Sequence, residues 1–125
     1  MSSFIEYETW RIKPEYKEQH DDMIRKWFDF VKDHQQELFP EWKSIRYYQE
    51  TDRDANPTGV YIMLFEFHTM EGHHVYKERR KDWSGPYEEY KKVDPYQFFD
   101  LDTVTTEYWV PREETFWADY PPAAD

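Results

Sequence analysis

Apolar and polar residues alternate at period two near the N-terminus, change to a spacing of three and four, and then repeat that order once. From Phe4 to Lys13, Ile5, Tyr7 and Thr9 alternate with Glu6, Glu8 and Trp10, which predicts a strand. Pro14 suits the first position of a helix, where a missing N–H costs nothing, and Glu15 and Glu18 suit its positive end. Tyr16, His20, Met23, Ile24, Trp27, Phe30, Val31, His34 and Leu38 then form one broad helical stripe, which Pro40 ends.

Trp42 to Thr51 is rich in aromatic and β-branched residues and predicts a second strand, followed by the turn-forming run Asp52 to Gly59. Val60 to His68 is the most apolar stretch and predicts a central third strand. Thr69 can cap a second helix running to about Trp83. Ser84-Gly85-Pro86 breaks it, and Pro86 opens a short continuation. Leu101 to Val110 alternates Val104, Thr106, Tyr108 and Val110 against Thr105, Glu107 and Trp109, a fourth strand.

The order strand, helix, strand, strand, helix, strand makes two similar units. Right-handed crossovers then favour an α+β fold of ferredoxin-like type, with a four-stranded antiparallel sheet and both helices on one face. The 125 residues fit one domain, with a core at about residues 4 to 110 and a tail from 111 to 125. Phe116, Trp117 and Tyr120 of the tail are expected to lie against the body of the protein or a second subunit.

A mean hydropathy of -1.13 would suit disorder, but 21% of residues are aromatic, so the chain is expected to fold around Tyr, Trp and Phe. The net charge of -11 repels phosphate backbones and anionic membrane faces, which argues against nucleic-acid and membrane partners. The absence of cysteine excludes disulfides and thiolate chemistry. Met1 to Glu6 lacks a basic segment followed by an apolar run, so a cytoplasmic location is expected.

One sheet face is left without helices, and its residues decide between solvent, partner and ligand. Placing Ile5 and Tyr7 toward the helices sends Glu6, Glu8 and Trp10 to the open face, joined by Glu107 and Trp109. Tyr61, Met63, Phe65 and Phe67 suit the helix side, leaving Val60, Ile62, Leu64, Glu66 and His68 open. Arg46 and Tyr48 join them, although a one-residue slip exchanges them with Ile45 and Tyr47.

Two segments carry a family resemblance: YETWRIKPEYKEQHDDMI, from Tyr7 to Ile24, and FEFHTMEGHH, from Phe65 to His74. In their light the chain resembles the dimeric α+β barrel superfamily, which includes antibiotic-biosynthesis-type monooxygenases and the NIPSNAP and EthD groups. The resemblance implies a homodimer in which two open sheet faces close a barrel. Haem-degrading members carry an Asn on strand one, a Trp near the end of strand three and a His late in helix two. This chain has Glu6 and Glu8, Phe67 and His68, and Trp83 to Tyr87 at those places, so no haem is expected.

Among candidate site residues, His68 one pleat from Glu66 forms a proton-transfer pair, because imidazole titrates near neutrality and a carboxylate fixes its tautomer. Trp10, Tyr48 and Trp109 supply aromatic walls, with Arg46 and Glu107 as charged groups. His73 and His74 are adjacent on a helix and diverge, so a shared metal is not expected, and His20 and His34 sit on the apolar stripe as core histidines. Two readings follow. One is an enzyme of monooxygenase or isomerase type without cofactor, with Glu66 and His68 as acid and base on a small aromatic substrate; the other is a non-catalytic binding or structural homodimer.

Overall fold

The computed structural model describes residues 3–123. Its elements in chain order are β1 (Phe4–Ile12), α1 (His20–Leu38), β2 (Trp42–Thr51), β3 (Pro57–Phe67), α2 (Met70–Arg80) and β4 (Phe99–Trp109). The strands form one antiparallel sheet in the order β2-β3-β1-β4, the ferredoxin-like arrangement predicted. Among the described residues, no helix is long and apolar enough to cross a membrane.

Boundaries differ where local chemistry intervenes. Pro14 opens a single 3-10 turn, Pro14–Tyr16, rather than α1 itself, which begins at His20. The second helix stops at Arg80, and three short 3-10 turns carry the chain to β4. In the β2–β3 hairpin, Asp52 accepts from the backbone N–H groups of Asp54 and Asn56. Gly59 has φ +93°, a backbone conformation that strains any side chain, while the Arg11 guanidinium that a Cβ there would meet at 2.8 Å is the movable end of an exposed side chain.

One face of the sheet packs on the helices. α1 buries Ile24, Trp27, Val31 and Leu38, and Trp27 meets the rings of Trp42 and Phe65. Tyr76 of α2 packs on Phe39, Trp42 and Phe67. Some of the ring heteroatoms are tied as well: Trp27 Nε1 donates to Tyr90 Oη at 3.0 Å and Trp10 Nε1 to Tyr47 Oη at 3.1 Å, whereas Trp42 Nε1 and Tyr76 Oη are buried without partners among the described residues. His20 is such a core histidine, with ring nitrogens 2.9 Å from Asp21 Oδ1 and from Tyr47 Oη.

The faces of β1 are the reverse of those expected. Glu6, Glu8, Trp10 and Ile12 point at the helices and are buried, while Ile5 and Tyr7 lie on the open face. Alternation put the apolar Ile5 and Tyr7 inward. The structure inverts it because Trp10 and Ile12 share parity with the two acids, and partners described below hold each buried carboxylate. The tail also departs from one of its two expected positions, since Phe116, Trp117 and Tyr120 are 65%, 56% and 85% exposed and do not pack on the body.

α2 is set by its N-cap. Thr69 has extended backbone, and its hydroxyl accepts from Gly72 N at 2.9 Å, satisfying an otherwise free first-turn donor. Thr69→Ala is expected to destabilise the fold by about 1 kcal/mol, read from denaturant midpoints, while Thr69→Ser keeps most of that stability.

Candidate functional site

Glu6, the third residue of β1, is 1% exposed and faces α2. His73 and Lys77 are one turn apart on α2 and therefore share a face. His73 Nε2 lies 2.9 Å from Glu6 Oε1, and Lys77 Nζ donates to Glu6 Oε2 at 3.2 Å. A buried carboxylate requires such pairing.

The His73 ring is wedged between Phe4, Phe67 and Tyr108, with centroid separations of 5.1, 4.8 and 5.4 Å. Its Nδ1 lies 3.4 Å from His74 Nδ1. Their rings diverge, yet both border one cleft of about 480 Å³, together with Phe4, Lys77, Glu78 and Tyr108. Phe4 and Tyr108 stack at 5.6 Å along its wall. With Glu6 accepting from His73 Nε2–H, His73 Nδ1 is an acceptor for His74 Nδ1–H, which leaves the lone pair of His74 Nε2 at the exposed end. The result is a directed path from a buried carboxylate to the cleft.

Glu8, two residues along the same face, is the second buried acid. It accepts from the hydroxyl of Tyr96, and from Thr106 Oγ1 at 3.3 Å. Burial pushes its carboxyl above the usual range; the Tyr96 bond opposes this and the Glu6 charge adds to it. Tyr96 is positioned in turn by Arg80, whose guanidinium carbon lies 5.8, 5.6 and 5.2 Å from the ring centroids of Tyr96, Trp83 and Tyr90.

The residues predicted from sequence are spread over several places. Glu66 accepts from Ser3 Oγ at 2.8 Å and Ser44 Oγ at 2.9 Å, not from His68. Burial pushes its carboxyl up, but the two hydroxyls with the Lys43 and Arg46 charges outweigh this and hold it below its usual range. His68 lies beyond the end of β3, exposed, and borders a different cleft beside α1 and β2. The strand ends one residue short of the pleat that would have aligned the pair.

Arg46, Tyr48 and Glu66 do come together, with Ile5, Ser44 and Leu64, around a shallow hollow of about 200 Å³ on the open face. Glu107 and Trp109 share that face. Glu107 accepts from Trp109 Nε1 at 3.3 Å, and the Trp109 ring stacks on Tyr7 at 4.7 Å. Trp10 is separate from all of these, buried on the helix side and stacked on Phe99 at 4.0 Å. Glu6, His73 and Lys77 were missed as a group, although the spacing of His73 and Lys77 on one helix was visible. Among the described residues, no cluster of three or more His, Cys, Asp or Glu side chains could hold a metal ion.

Because burial raises the Glu8 pKa, the fold favours the protonated acid. That contribution is fully present below the unfolded pKa and is lost as pH rises through the folded one. Glu8→Gln keeps the shape without the charge. Urea denaturation from pH 4 to pH 8 is therefore expected to show the variant gaining stability relative to the parent as pH rises; a constant difference would mean that Glu8 titrates normally.

No family model matches the chain, and no curated protein matches it. Solved structures do. An uncharacterised NIPSNAP-like domain protein from Burkholderia xenovorans superposes with a TM-score of 0.60 at 11% identity, over 98% of this chain and 95% of its own. The hydroxynitrile lyase of Passiflora edulis gives 0.58 at 15% identity, over 95% and 97%. A proposed antibiotic biosynthesis monooxygenase of Bordetella bronchiseptica gives 0.57 at 10% identity, over 87% and 96%. At such identities the likeness concerns the fold alone, and this chain has the ferredoxin-like α+β fold that these structures share.

Proposed function

We propose that the chain is a homodimeric enzyme that moves a proton on a small aromatic substrate held in the cleft between β1, β4 and α2. The observation that carries this reading is the buried Glu6 carboxylate, 2.9 Å from His73 Nε2 and bonded to Lys77 at the wall of a cleft of about 480 Å³. Glu6 fixes the His73 tautomer and stabilises the imidazolium that forms when a proton enters the histidine path. Lys77 neutralises Glu6 at rest and places positive charge near an oxygen that gains negative charge as a proton leaves the adjacent carbon. The stacked Phe4 and Tyr108 rings suit a flat apolar substrate. Returning the proton to a second carbon completes an isomerisation.

The test is exchange of the carbon-bound protons of small aryl ketones in D2O, followed by NMR. His74→Ala and Glu6→Gln are each expected to slow exchange by about 10²- to 10⁴-fold, the usual weight of a positioned acid–base group. Saturable binding without exchange would support the non-catalytic alternative, and neither binding nor exchange would remove the cleft from consideration.

The dimer rests on the open face, where Ile5, Tyr7, Ile62, Leu64, Tyr48 and Trp109 leave a broad apolar surface without helices. Light scattering is expected to give twice the chain mass of 15.7 kDa, and Leu64→Lys to give the single-chain mass with the fold retained. A parent protein that is monomeric at micromolar concentration would overturn the pairing.

A further inference from the structure

We propose a second ligand site, for a small organic anion with an aromatic body, in the cleft between α1 and the outer strand β2. It is independent of the Glu6 site. The cleft measures about 380 Å³, room for a fused two-ring acid. Its apolar floor is made by Phe28, Val31, Trp42 and Ile45, and Lys32, Lys43 and His68 stand around it.

Three observations select an anion. Trp42 is among the lining residues and is 4% exposed, and its indole N–H, a donor only, is buried with no hydrogen-bond partner among the described residues. A buried donor left unmade is costly, and a shift of the ring that brings this N–H to an acceptor in the cleft removes that cost. Second, Lys32 makes no ion pair among the described residues; its Nζ lies 6.0 Å from the Phe28 ring centroid, beside the apolar floor.

Third, the lining residues include Lys32 and Lys43 and no carboxylate. Gln35 Nε2 already donates to Phe39 O at 3.2 Å and Trp42 O at 3.5 Å, and Ser44 Oγ donates to Glu66 at 2.9 Å. Lys43 is only loosely tied, 3.8 Å from Glu66 Oε2. The Glu66 carboxylate, the nearest acid in these contacts, is already engaged by the Ser3 and Ser44 hydroxyls. In a chain of net charge -11, two lysines and a histidine around an apolar pocket mark a local exception that a carboxylate on an aromatic ring would match.

The probe is 2-naphthoate, with 2-naphthalenemethanol as its neutral counterpart, titrated into the ¹⁵N-labelled protein. The indole N–H signal of Trp42 is assigned by its loss in Trp42→Phe. Naphthoate is expected to saturate at roughly millimolar concentration or below, to move that signal downfield, and to bind about tenfold more tightly than the alcohol. Lys32→Ala and Lys43→Ala, both exposed positions that leave the core intact, are each expected to weaken it about threefold or more. The proposal is overturned by absence of saturation, by equal affinity for the alcohol, by undiminished binding in the double lysine variant, or by shifts confined to His73 and His74 with Trp42 unmoved.

Discussion

Two carboxylates on the inner face of β1 are the constraint around which the fold is arranged. An acid placed between sheet and helix must be supplied with donors, because its attraction for water is lost there. Glu6 takes His73 and Lys77 from α2, and Glu8 takes Tyr96 and Thr106 from the chain that follows. The requirement therefore fixes how α2 is rotated and how the 3-10 turns run back to β4. It also explains the Arg80 cluster, since Tyr96 reaches Glu8 from a segment that has little regular structure to hold it.

Most of the architecture was legible because periodicity is a local property. The α1 stripe, the apolar run of β3 and the Thr69 cap could each be read from a few neighbouring residues, and strand order followed from handedness. The face of β1 could not be read so simply. Its odd positions hold Ile5 and Tyr7, its even positions hold two acids, and the inference depended on which pair was weighted more. Trp10 and Ile12, on the even side, carried the contrary signal, since the largest apolar ring of the strand belongs inside.

The candidate site was hidden for the same reason. Glu66 and His68 are two apart in sequence, and one pleat would join them only if the strand continued through His68. It ends at Phe67, and the His68 backbone N–H donates instead to Glu41 O at 3.0 Å. Glu6 and His73 are joined across 67 positions of sequence, a distance over which no spacing rule operates. The open face was read more successfully, because Arg46, Tyr48, Glu107 and Trp109 are fixed by strand register alone.

The interior of rings joined by N–H and O–H groups has a consequence for how the chain comes apart. In an aliphatic core, side chains can loosen and still touch, so collapse outlasts specific packing. Here Trp27 with Tyr90 and Trp10 with Tyr47 are held at fixed angles by hydrogen bonds as well as by contact area. Loosening the rings also strips polar atoms of their partners before water can replace them, so the half-loosened state carries both penalties together. Such an interior favours melting as one cooperative unit, with little room for a compact, fluid intermediate.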